Sequence, residues 1–156
     1  MRYLLALAAA SAAILMSVPS HAQMGGRGMM QGGGMMGGSM ARHHLAMHGG
    51  LPSEYGSKRN PLGGSAENVG AGKALYMQNC AVCHGTKGAG DGEGGKALNP
   101  PPGDLRGLGS MPMTTDGYYY WTIAEGGAPI KSAMPPYKSV LKEQDIWQLI
   151  LFLRTL

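Results

Sequence analysis

The chain is poor in cysteine: its 156 residues contain two, Cys80 and Cys83. That scarcity excludes a disulfide-stapled scaffold, because a bridge between residues three apart closes too small a loop to stabilise much. It also leaves a structural zinc site without the second cysteine pair such sites draw on, so that His43, His44 or His48 would have to complete one. After Val18 no segment is apolar and long enough to span a bilayer. No strand pair and no βαβ pattern can be read, which removes the usual setting of a redox C-x-x-C. A surplus of one charge is missing too. The formal charge of +4 comes from the N-terminal part; from Leu62 to Leu156 eight Lys and Arg face eight Asp and Glu. A basic docking face and nucleic-acid binding have no support in that balance.

What is present begins with an export signal. Met1-Arg2, an apolar run from Tyr3 to Val18 and small residues at Ser20 and Ala22 read as a secretory signal peptide over 1–22, cut after Ala22. The apolar run spans about 24 Å as a helix, short of the ~30 Å hydrocarbon core, so no transmembrane anchor is expected after cleavage. From Met24 to Gly50 come seven methionines and ten glycines without an aromatic or β-branched residue, a composition that predicts a flexible arm. Leu51–Gly64 reads as a turn-rich linker. The expected organisation is a signal peptide at 1–22, a Met/Gly/His-rich arm and linker at 23–64, and one compact domain at 65–156. Such a domain has a marginal core unless something large and apolar fills it.

Three helical signals stand out in that domain. The first follows Asn68, taken as N-cap, and runs "VGAGKALYMQNC" into the cysteine pair. The second is "GYYYWTIAEGG" after Thr115 and Asp116, stopped by Gly126-Gly127. The third, "KEQDIWQLILFLRTL", repeats Ile146, Leu149, Ile150 and Leu153 at i, i+3, i+4 and i+7. Glu143 and Asp145 suit the dipole of its first turn, although Lys142 is a poor cap. The fold class is therefore all-α, with long Gly- and Pro-rich loops.

The stretch "CAVCHG" from Cys80 to Gly85 places His84 directly after the pair. C-x-x-C-H is the pattern of covalent haem attachment: the thiols add to the vinyl groups and the histidine binds the iron. A haem also supplies the apolar bulk that the domain lacks. His84 is the only histidine of the compact domain, so a second histidine ligand would have to come from the arm; a methionine is the expected sixth ligand, with an open or arm-ligated iron as the alternative. Met77 lies too few residues before His84 to reach the opposite face, while Met111 and Met113 sit in a glycine-bounded loop. Met134, stiffened by Pro135-Pro136, is the expected second axial ligand, with Met111 or Met113 behind it.

The domain from about Asn68 to Leu156 resembles a class I cytochrome c of the small bacterial mono-haem kind. The resemblance rests on "GKALYMQNCAVCHG", "NPPPGDL", "TDGYYYWTIAEGG", "AMPPYKSV" and "DIWQLILFLRTL". It implies three to four helices and long loops around one covalent haem c. It implies a crossing of the first and last helices, with Gly72 and Tyr76 against Leu149 and Phe152. A proline carbonyl should orient His84, a role for Pro101 or Pro102, of which Pro102 is taken. Arg106 is either a propionate partner or a plain surface arginine. Tyr118, Tyr119, Tyr120 and Trp121 are expected as pocket wall and core. The implied function is a periplasmic electron carrier, not itself an enzyme, exchanging electrons with donor and acceptor proteins. The alternatives are a haem subunit of a larger dehydrogenase or oxidase, or a copper-handling protein whose arm binds Cu(I) through methionine and histidine.

Overall fold

A computed structural model describes residues 37–156, with side chains from Met40 onward; the expected signal peptide and the arm up to Met36 lie outside the described residues. The described chain is helical and contains no strand, as the periodicities predicted. Six α-helices follow in order: α1 (Gly37–Gly49), α2 (Ser53–Gly56), α3 (Ala66–Asn79), α4 (Ala81–His84), α5 (Asp116–Glu125) and α6 (Glu143–Leu153).

The helix boundaries follow local chemistry. α3 starts earlier than expected: Ser65, not Asn68, is the N-cap, its hydroxyl accepting from the Asn68 N–H at 3.2 Å. Glu67 then falls in the first turn, where the helix dipole favours it. Asn68 instead bridges helices, its Oδ1 accepting from Gln148 Nε2 of α6 at 3.1 Å. α5 is capped by Thr115, whose hydroxyl accepts from the Tyr118 N–H at 3.2 Å. α6 compensates for its lysine cap through Asp145, whose carboxylate takes the Lys142 N–H at 2.9 Å.

The main core lies where α3 meets α6. Tyr76, Ile146, Leu149 and Ile150 are its fully buried side chains, and each such burial contributes about 1.5–3 kcal/mol. Gly72 permits the approach: a Cβ there would stand 2.0 Å from the Gln148 carbonyl oxygen. One turn on, the Tyr76 and Phe152 rings pack with centroids 5.2 Å apart. The expected glycine-and-aromatic contact is thus present.

The structure departs from expectation before Ser65. Residues 37–49 form a helix rather than a flexible arm, and the linker is docked. Met40–His48 is free of glycine and rich in Met, Ala, Leu and Arg, good helix formers. A helix this short is marginal alone, and packing sustains it. A second core joins Tyr55 of α2 to Tyr118, Trp121 and Ala124 of α5, with Ala46 and Leu51 packed against it. α1 also rests on the turn Ala128–Ile130. The Asn60 N–H donates to Asp116 Oδ2 at 2.9 Å and its side-chain amide to the Trp147 carbonyl at 2.9 Å. Lys58 reaches Glu143 at 3.2 Å while lying 4.4 Å over the Tyr120 ring.

Candidate functional site

Cys80 ends α3, and the single turn α4 carries Cys83 and His84. The His84 N–H donates to the Cys80 carbonyl at 2.9 Å, so helical spacing gathers Cys80, Cys83 and His84 on one side of the turn. The two thiols are free, not bridged. Burial, then the neighbouring Cys83, pushes the Cys80 thiol up to about 11. A thiol so raised is neutral at pH 7 and unlike the activated thiolate of a redox pair.

His84 Nδ1 lies 3.0 Å from the Gly103 carbonyl. A carbonyl only accepts, so Nδ1 carries the proton and Nε2 keeps its lone pair. Burial lowers the His84 pKa, with the Gly103 contact opposing, and holds the ring neutral. The orienting carbonyl is therefore that of Gly103 and not of Pro102. Pro100, Pro101 and Pro102 supply wall. The stiff proline run ends at a glycine whose carbonyl meets the ring.

The same cavity takes in Met134. It opens to solvent and is bounded by Cys80, Cys83, His84, Leu149, Met134 and others of mostly apolar character. Met111 and Met113 are not among its lining residues, and Met77 is exposed. Three contacts fix the loop bearing Met134. Its carbonyl accepts the Gly127 N–H at 2.7 Å; the Tyr137 N–H donates to the Ile123 carbonyl at 3.1 Å; and the Tyr137 hydroxyl donates to the Asn79 carbonyl at 2.8 Å. Gly126, at φ 61°, is required beneath it, since a Cβ there would stand 2.6 Å from the Met134 carbonyl oxygen.

Arg106 does not reach the cavity. Its guanidinium lies exposed against Asp104, Nε to Oδ1 at 2.9 Å, and holds that carboxyl below its usual range. The arginine that does line the cavity is Arg42 of α1, which the sequence reading left in the arm; the glycine-free run around it was the available signal. The aromatic cluster divides. Tyr118 and Tyr119 line the cavity, Trp121 joins the second core, and Tyr120 packs on Trp147 with centroids 4.6 Å apart.

The lining fits a haem. Among the described residues the buried side-chain atoms without a partner are Arg42 Nη1, Tyr119 Oη and Thr122 Oγ1, and all three residues line this cavity. A wholly apolar ligand would leave them unpaired; an apolar macrocycle with acidic substituents meets both halves of the wall. The thiol pair and the neutral histidine are the donor set of covalent attachment.

A family model described as Cytochrome c matches residues 69–156, more than half of the chain. No curated protein matches. Among solved structures the chain is similar to one from the reducing HAO-like protein complex of Kuenenia stuttgartiensis, at 22% identity and a TM-score of 0.49. That match covers 61% of this chain and 46% of the other, so this chain spans less than half of its length. No helix of the described residues is long and apolar enough to cross a membrane.

Proposed function

Because the chain belongs to the cytochrome c family, whose members transfer electrons through a covalently held haem, we propose that it is a periplasmic electron carrier. Cys80 and Cys83 would hold one haem c, and His84 and Met134 would supply its protein ligands to iron. The observation that carries this is the meeting of Cys80, Cys83, His84 and Met134 in the wall of one apolar cavity. Haem supplies a one-electron couple between Fe(III) and Fe(II).

The chain's own residues suit that couple. Gly103 fixes the ring and tautomer of His84, leaving Nε2 as the donor. Gly127 and Tyr137 hold the Met134 loop, so its thioether would be kept in place as a ligand in either oxidation state. An apolar wall with a thioether ligand favours the reduced form. Val82, between the two cysteines, is 61% exposed, and a partner can approach there through a small, transient contact. The apolar run at the N-terminus supports export.

Absorption spectroscopy tests the assignment. The purified protein should give a c-type pyridine haemochrome and a low-spin spectrum, and its reduced form should bind carbon monoxide negligibly. Met134→Ala should become high-spin, bind carbon monoxide and drop in potential. A spectrum unchanged by that substitution removes Met134 as ligand; rapid carbon monoxide binding by the intact protein replaces the carrier with a haem enzyme.

As a second function we propose Cu(I) binding on α1. Met40, His44, Met47 and His48 recur at i, i+4, i+7 and i+8 and are exposed, and the two imidazole rings lie 4.2 Å apart. Two thioethers and two imidazoles on one helix face form a soft donor set. Titration of the holoprotein against a Cu(I) chelator should show competition that Met40→Leu with His44→Ala abolishes; no competition ends the assignment.

A further inference from the structure

We propose that Arg42, carried on α1 outside the matched cytochrome c segment, is the cation that pairs with a haem propionate, making the N-terminal extension part of the haem site. This rests on the haem assignment above and extends it to a residue from another part of the chain.

Arg42 is 4% exposed, a degree of burial that a guanidinium tolerates only when paired. Part of its donor capacity is used. Nη2 donates to the Gly126 carbonyl, and the guanidinium lies 4.7 Å above the Trp121 ring. Both contacts orient the group without neutralising it. Nη1 is buried and has no partner. Among the described residues no anion is at hand. No Asp or Glu lines the cavity among the described residues, and the chain has no acidic residue before Glu54, so the segment ahead of α1 cannot supply one. Beyond the three attachment residues, the titratable side chains facing the cavity are Tyr76, Tyr118, Tyr119 and Tyr137. Burial raises all four, and they stay neutral.

The missing anion must therefore belong to the ligand. A haem carries two carboxylates on an otherwise apolar ring, and a guanidinium with a free edge is suited to a carboxylate. The Thr122 and Tyr119 hydroxyls, also unpaired on the same wall, add donors for the remaining oxygens.

The test uses the full-length holoprotein as wild type, Arg42→Gln and Arg42→Lys, with reduction potentials measured from pH 5 to pH 8. In the wild type the pairing keeps the propionate ionised and the potential nearly flat. In Arg42→Gln an unpaired anion in an apolar site has its pKa raised into this window. At pH 8 its charge favours Fe(III), so the potential lies below wild type. As the pH falls the carboxylate takes a proton, the charge disappears and the potential climbs. Arg42→Lys keeps the cation and the flat profile. A Gln variant that carries haem but matches the wild-type profile overturns the proposal, as does a Lys variant with the slope of Gln, which would reduce Arg42 to packing on Trp121. Should Arg42→Gln fail to mature, proton NMR of the reduced wild type decides: nuclear Overhauser contacts between the Arg42 guanidinium and the propionate methylenes are expected, and their absence overturns the pairing. A wild-type protein without a c-type haemochrome would overturn the haem assignment itself.

Discussion

The two faces of α5 belong to regions that hold together by different means. Its inner side joins the α3–α6 core, where periodic apolar residues interdigitate and Gly72 lets two backbones touch. Its outer side receives α1, α2 and the Leu51–Gly64 segment through a few aromatics, one buried arginine and hydrogen bonds from Asn60 and Tyr55. The first region carries its own reason to fold; the second is ordered by what it lands on. A short helix and a turn-rich linker can thus be structural when a neighbouring helix offers rings and carbonyls for them to meet.

The largest test of that contrast is Trp121→Ala, which removes the floor under Arg42 and the centre of the second core. It should cost about 3–5 kcal/mol in denaturant unfolding and expose the segment before Ser65 to protease. Protease resistance retained in this variant would mean the extension docks some other way. Gly72→Val works on the other region. The crowded α3–α6 contact should cost about 1–3 kcal/mol while the extension stays protected below the unfolding midpoint. Asn60→Ala is milder, about 1 kcal/mol, with earlier cleavage before Ser65 as its signature.

Mild acid should sharpen the contrast with the smallest energies. Burial alone would raise the Asp116 carboxyl, but the Asn60 N–H and the Arg154 guanidinium outweigh it and hold the pKa below the ordinary value. Glu125 is likewise lowered, by the Tyr55 hydroxyl and then Lys138. Both pKa values are depressed in the folded state, so their contribution is complete above the unfolded values near pH 4. It is lost as pH falls through the lower folded values. Below about pH 4 the extension should loosen before the α3–α6 core, read as pepsin cleavage ahead of Ser65.

What the sequence disclosed follows the same division. α6 was legible because its apolar stripe repeats at helical spacing, and α5 because Thr115 and the Gly126-Gly127 pair bracket it. Cys80, Cys83 and His84, which line one cavity, were legible because their spacing is local. Met134 was singled out by the prolines after it, and the structure places it in the same cavity wall. The start of α3 was misjudged because serine and asparagine are comparable caps, and only tertiary contact with Gln148 decides between them. Gly103 was missed in favour of Pro102 because one residue of register in a loop is set by where the chain packs. Arg42 was hidden in a stretch whose overall composition reads as an arm, although the run around it is free of glycine, and Arg106 was promoted by its neighbourhood; sequence alone does not tell a buried guanidinium from one bound to a nearby aspartate.

The hydroxyl of Tyr137 carries one more consequence. It ties the loop of Met134 to the last carbonyl of the helix that delivers Cys80 and His84, closing a strut between two parts of the cavity wall. Parts of the wall so joined cannot drift apart independently, so a one-unit change of charge at the proposed haem would ask little of the protein. A carrier exchanges electrons quickly when its surroundings are already nearly right for both oxidation states, and one phenol oxygen on a backbone carbonyl holds this frame to a single shape.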